Sequence, residues 1–172
     1  LASILAASML LAMSPFALAE GAEDAPDTTG QGQTVEGGGA EQTYAAKIGE
    51  NKYPTIADAI DAANIYDANS DVTIVMLHDV TENIEINRSL TLDLGGYTLS
   101  GDGDAEAAVV TISGDKPQVT VKNGTVTGGK KSGIRITDAD VTLTKLTVTK
   151  NASTGNGGGI DAVKGKELVV EQ

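Results

Sequence analysis

Residues 119–149 read VTVKNGTVTGGKKSGIRITDADVTLTKLTVT, and one pattern occurs in them twice. VTV at 119–121 is followed by TVT at 125–127, and VTL at 141–143 is followed at the same distance by TVT at 147–149. Short runs of alternating apolar and polar residues, bounded by glycine, asparagine or aspartate, are typical of β-strands. A pair of strands that recurs as a unit indicates successive turns of one repeating coil.

Similar runs extend through the chain in two interleaved series. The first series begins at Leu90, Val119, Val141 and Leu168, in steps of 29, 22 and 27 residues, and the second at Val109, Ile134 and Ile160, in steps of 25 and 26. Two series with a common step predict an all-β fold, a right-handed parallel β-helix in which aliphatic side chains stack in columns. A β-sandwich or a β-barrel is the alternative, but strands paired as hairpins need no register between runs so far apart.

The composition limits both the core and the chemistry. The 172 residues include no Cys, no Trp and one Phe. The core must therefore be built from Val, Ile, Leu and Ala, and disulfides, thiol chemistry and zinc–thiolate sites are excluded. Lys and Arg number 12 against 24 Asp and Glu, which gives a net charge of −12. This charge argues against nucleic acids and anionic lipid as partners, because both are bound through clustered Lys and Arg.

Two segments precede the predicted β-helix. Residues 1–19 carry no charge, are almost wholly apolar and end in Ala17-Leu18-Ala19, the pattern that signal peptidase cleaves. We therefore predict a signal peptide, export, and no stable membrane insertion after cleavage before Glu20; an uncleaved membrane anchor is the alternative. Residues 20–43 hold six acidic residues, six glycines and no Lys or Arg. They are predicted to form a disordered linker before a β-helix domain at 44–172.

A short helix is predicted within residues 53–64. Thr55 is placed to cap its N-terminus, with Asp58 as the acidic partner of a capping box, and Asn64 is placed to end it. The apolar positions have the i, i+3, i+4, i+7 spacing of one helical face: Ile56, Ala59, Ile60 and Ala63. Such a narrow face suits a helix that lies flat over the end of another structure.

Three segments carry a resemblance to a known superfamily. YPTIADAI at 53–60, VTIVML at 72–77 and SLTLDLGGYTLSG at 89–101 resemble the opening of pectin-lyase-like right-handed parallel β-helix proteins, above all the cell-surface and adhesin-type members from bacteria. NGGGI at 156–160 resembles a coil turn of the non-enzymatic surface members. The resemblance implies a helix that caps the N-terminal end of the solenoid. It implies little about function, because the superfamily includes lyases, hydrolases, esterases and adhesins.

No catalytic or cofactor-binding residue is predicted. Pectate lyases have calcium-binding Asp clusters with a catalytic Arg, and polygalacturonases have paired Asp with Gly-His-Gly and Arg-x-Lys; none of these motifs is present. Four calcium candidates remain, since carboxylates supply the oxygen ligands that calcium prefers: Asp138, Asp140, Asp102 and Asp104. The alternative for all four is a polar turn. Turn or surface roles are also predicted for His78, Tyr97 and the Lys130-Lys131 pair.

Two functions from different classes remain open. The first is an exported module, secreted or located at the cell surface, with a structural or adhesive role. Its rigid, Thr- and Asp-rich face binds glycans or host proteins. The second is the N-terminal part of a polysaccharide lyase or glycoside hydrolase whose catalytic coils lie beyond residue 172. ELVVEQ at 167–172 reads as a strand without a following cap. It predicts a truncated solenoid that can self-associate through its uncapped C-terminal coil.

Overall fold

The computed structural model describes residues 43–67, 70–104, 106–153, 155, 157–164 and 167–172. All of them belong to one compact unit, Ala40–Gln172. The predicted signal peptide, at residues 1–19, and residues 20–42 of the predicted linker lie outside the described residues. Within the described part of the chain, no helix is long and apolar enough to cross a membrane.

The described residues form one helix and a series of short strands. In chain order they are β1 (Ala46–Ile48), β2 (Asn51–Tyr53), α1 (Ile56–Ala63), β3 (Thr73–Met76), β4 (Val80–Thr81), β5 (Ile84–Ile86), β6 (Leu90–Asp93), β7 (Thr98–Ser100), β8 (Ala108–Ser113), β9 (Gln118–Thr127), β10 (Ser132–Thr137), β11 (Asp140–Thr149), β12 (Ile160–Val163) and β13 (Glu167–Glu171).

From β3 onward the chain winds as a parallel β-helix, as the sequence predicts. The first sheet has the order β13-β11-β9-β6-β3-β1-β2, and β4 and β7 extend it beside the second half of β9. The second sheet has the order β12-β10-β8-β5. Every pairing from β3 to β13 is parallel and joins one coil to the next. Each coil thus crosses the first sheet, bends along its extension, and returns through the second sheet.

The predicted column of aliphatic residues is confirmed residue by residue. Leu90 pairs with Val119, Val119 with Val141, and Val141 with Leu168. The first three are at most 5% exposed. Inward residues of successive coils therefore lie on top of one another, and the core is a stack of thin layers that no single coil could form alone.

The predicted second series is wrong by one residue at Val109. Ile134 pairs with Ile160 as expected, but its partner on the other side is Val110. Ala108, Val109 and Val110 are all buried, so the alternation that marks the inward position elsewhere is lost here. Val109 turns toward the corner of the coil, where its Cγ2 lies beside the backbone of Gly129.

Helix α1 covers the N-terminal end of the solenoid. Its buried residues are the four predicted ones, Ile56, Ala59, Ile60 and Ala63, and Asn64 is the C-cap. Thr55 Oγ1 accepts a hydrogen bond of 2.9 Å from Asp58 N, as predicted. The carboxylate that binds the first free N–H groups of the helix comes from far along the chain. Glu82 accepts from Ile56 N at 3.1 Å and from Ala57 N at 2.9 Å.

The other end of α1 is held by Arg88. Its guanidinium donates to the carbonyl oxygen of Ala63, to that of Tyr66 at 3.3 Å and to that of Asp67 at 3.1 Å. A carboxylate at the N-terminus and a guanidinium at the C-terminus both complement the helix dipole.

The sequence analysis missed the hairpin of β1 and β2, which pairs antiparallel with β3 and closes the edge of the first sheet.

Candidate binding groove

The corners of the coil are built from residues in the left-handed region of the backbone map. Asn123 (φ 59°) and Lys145 (φ 50°) bend β9 and β11 at equivalent places. Lys116 (φ 55°), Asp138 (φ 54°) and Lys164 (φ 57°) lie in the turns that lead from the second sheet back to the first. Asn and Asp adopt this conformation more readily than other non-glycine residues, so local sequence favours the bends at Asn123 and Asp138, whereas the stacking of coils must hold the bends at the three lysines.

A groove of about 720 Å³ runs over the outer face of the first sheet. Residues of β6, β9, β11 and β13 line it, together with Ser70 and Asp71 just before β3. The groove therefore crosses the strands and follows the solenoid axis. Five strand positions are separated by four spacings of about 4.8 Å, which together span roughly 19 Å. A groove of this shape fits a linear ligand better than a compact one.

The floor of the groove is a row of hydroxyl groups. Thr91 pairs with Thr120 and Thr120 with Thr142, so their side chains stand side by side on the outer face. Val169 replaces the hydroxyl in the last strand. Each threonine offers one donor and two acceptor lone pairs. The floor is thus a repeating set of hydrogen-bonding groups one strand spacing apart.

Four charged side chains line the groove: Asp71, Lys116, Asp140 and Glu167. Among the described residues, none of the four has an ion-pair partner within 4.0 Å or a hydrogen bond through its side chain. Asp140 Oδ1 is fully buried and has no hydrogen-bond partner in the described part of the chain. An ionised carboxylate only accepts hydrogen bonds, so this oxygen is an unsatisfied acceptor that is itself closed to the groove, although the residue is only partly buried.

Several carboxylates outside the groove have partners. Asp93 accepts from Asn123 Nδ2 at 3.1 Å and lies 3.6 Å from Lys122 Nζ. Asp161 Oδ2 lies 3.3 Å from Arg135 Nη1 on the neighbouring strand. These bonds join one coil to the next and stabilise the stack. The groove carboxylates make no such bonds to described residues, and their charge is available to a ligand.

The calcium candidates are not brought together. In the described residues, no group of three or more His, Asp and Glu side chains is placed to hold a metal ion. Asp102 Oδ1 accepts from Asp104 N at 2.9 Å, and Asp104 Oδ1 accepts from Glu106 N at 2.8 Å, which is the geometry of a polar turn. Asp138 lies in a corner turn, and Asp140 lies in the groove.

The remaining singled-out residues are on the surface. His78 is exposed, with Nδ1 2.6 Å from the carbonyl oxygen of Asp79. Tyr97 is 39% exposed at the bend between β6 and β7. Lys131 lies 3.6 Å from Glu106. None of these three residues lines the groove.

The sequence analysis predicted a Thr- and Asp-rich face but did not locate the groove, although a signal for its position exists. A polar residue directly precedes the first inward aliphatic residue of each coil: Asp71, Ser89, Gln118, Asp140 and Glu167. In a strand, alternate residues share one face. This column and the threonine column two residues later therefore lie together on the outer face.

Comparisons with protein-family models, with curated proteins and with solved structures return no match.

Proposed function

We propose that this chain is an exported structural or adhesive module, and that the groove on its first sheet is the surface by which it binds a glycan or a protein. The observation that carries the proposal is the groove itself, about 720 Å³, with a row of threonine hydroxyls beneath unpartnered charged side chains. Such a surface exchanges hydrogen bonds with a hydroxyl-rich chain lying along the solenoid axis.

The scaffold suits a binding surface. The groove residues stand on strands that are hydrogen-bonded on both sides by neighbouring coils, except at β13. A rigid surface loses little conformational freedom when it binds, so more of the interaction energy appears as affinity. Individual contacts on such an open surface are weak, and adhesion then depends on many copies acting together.

Export and surface location rest on the sequence alone. The cleavage pattern at residues 17–19 supports export, and the resemblance to adhesin-type β-helix proteins supports a role at the cell surface. Mass spectrometry of protein secreted by a bacterial host is expected to find Glu20 at the N-terminus. Recovery of the chain with residues 1–19 attached to membranes would contradict cleavage.

A glycan array probed with the full chain tests binding, using Thr120→Lys to fill the groove. Thr147→Lys is the matched control, because Thr147 also faces outward on a strand of the same sheet but does not line the groove. Binding lost in Thr120→Lys and kept in Thr147→Lys is the expected result. Equal loss in both variants would place the binding surface elsewhere.

The enzymatic alternative has its own readout. The chain is incubated with pectins and other polyuronides, with and without calcium, and assayed for new reducing ends and unsaturated uronides. If the chain turns over a polyuronide and Thr120→Lys abolishes that turnover, the groove is a catalytic site and the proposed adhesive role is wrong.

A further inference from the structure

The sign of the groove's charge selects among ligands. Three carboxylates, of Asp71, Asp140 and Glu167, face the groove against one ammonium, of Lys116. The chain as a whole carries a charge of −12. A polyanion entering this groove meets like charge along its length, whereas a cation meets opposite charge. Polyuronides are therefore poor ligands for this groove.

Two of these carboxylates lie directly opposite each other. Asp140 and Glu167 are register partners in the pairing of β11 with β13. Like charges at opposed positions of a ladder destabilise it. A cationic group bound between them removes this repulsion.

The shape of the groove favours a sugar chain over a basic peptide. An extended peptide needs a partner for each backbone N–H and C=O group, and peptides that bind to sheets usually obtain them at a strand edge. This groove crosses the strands and offers side chains, chiefly Thr91, Thr120, Thr142 and Gln118. Sugar hydroxyls exchange hydrogen bonds with such groups one at a time and in either direction.

We infer that the groove binds a linear polysaccharide carrying free, protonated amino groups, an inference that rests on the proposed binding function of the same groove. Asp71 lies at one end, and the pair Asp140 and Glu167 lies toward the other. The amino groups meet these carboxylates, and the sugar hydroxyls meet the threonine row between them. Lys116 limits the number of amino groups that the groove accepts.

Isothermal titration of the full chain with three soluble oligosaccharides of equal length tests the inference. The probes are a hexamer of glucosamine, a hexamer of N-acetylglucosamine and a hexamer of galacturonic acid, at one pH at which the glucosamine amines carry protons. Each exposed ion pair contributes about 2- to 5-fold in affinity. Three carboxylates against one ammonium leave a net of two such pairs, so the glucosamine hexamer is expected to bind about 4- to 25-fold more tightly than the acetylated one, with the advantage reduced by salt.

Two variants on one strand supply the matched comparison. Glu167→Gln removes a groove carboxylate, and Glu171→Gln removes a carboxylate of the same strand that is outside the groove and lies 3.4 Å from Thr144 Oγ1. We expect Glu167→Gln to weaken glucosamine binding about 2- to 5-fold and Glu171→Gln to leave it nearly unchanged. Lys116→Gln is expected to strengthen it. Thermal unfolding of each variant shows whether the fold is intact.

The outcomes separate the inference from the proposed function. Equal affinity for both neutral and cationic hexamers, or tighter binding of the galacturonate hexamer, would overturn the cationic ligand and leave glycan binding in place. Tighter binding of hexalysine than of the glucosamine hexamer would overturn the choice of a sugar. Binding of none of the probes, together with a glycan array without signal, would overturn both.

Discussion

Truncation of a leucine at two places in the same column measures how much stability comes from stacking. Leu90 and Leu168 both belong to the column that continues through Val119 and Val141. Leu90 is 5% exposed, and Leu168, in the last described strand, is 39% exposed. The two side chains have the same chemistry and the same inward position, and they differ only in whether a coil covers them.

The expected losses follow from this difference in burial. Leu90→Ala leaves an enclosed cavity, for which core leucines lose about 2–5 kcal/mol. The space left by Leu168→Ala is open to solvent, so this variant loses only part of the transfer free energy of a leucine. The expected loss is about 1–2 kcal/mol. Three strand spacings, about 14 Å, separate the two sites. The losses should therefore add in the double variant within about 0.5 kcal/mol.

Urea unfolding of the 172-residue chain, followed by far-ultraviolet circular dichroism, provides the free energies of unfolding. A loss at Leu168 equal to that at Leu90, or a loss below about 1 kcal/mol at Leu90, would refute a core built by stacked coils. A double variant far from additive would show that the column responds as one unit over its whole length.

Three further predictions concern the end and the corners of the coil. Glu82→Ala removes the acceptor at the N-terminus of α1 and should lower the free energy of unfolding in urea by about 1–2 kcal/mol. Its control, Glu85→Ala, changes an exposed outer position and should cost under about 0.5 kcal/mol. Equal costs would contradict the capping role of Glu82. Asn123→Gly should retain more thermal stability than Asn123→Ala, because glycine adopts the positive φ of 59°, and the reverse order would contradict the backbone assignment. Gly129→Ala should prevent folding, because a Cβ at this position overlaps the carbonyl oxygen of Ser132. A native circular dichroism spectrum of the variant would show that Gly129 and Ser132 do not approach this closely.

Periodicity in the sequence by itself determines the solenoid. Alternation along a strand and recurrence between coils are both properties of the chain, and they placed Leu90, Val119, Val141 and Leu168 in one column. Helix α1 was equally predictable, because Thr55 and the spacing of four apolar residues are local signals. Val109 marks the limit of this reasoning, since three consecutive buried residues leave no alternation to follow.

Only the tertiary structure decided the distant contacts made outside the inward columns. Glu82 lies 26 residues from the helix N–H group of Ile56 that it binds, and no local pattern encodes that contact. The groove is likewise formed by residues from successive coils, each of which reads in the sequence as an ordinary outward position. Inward columns are predictable because burial restricts them to aliphatic side chains. Outward columns carry no such restriction, so the polar column and the threonine column are recognised as one groove only when the register sets one coil beside the next.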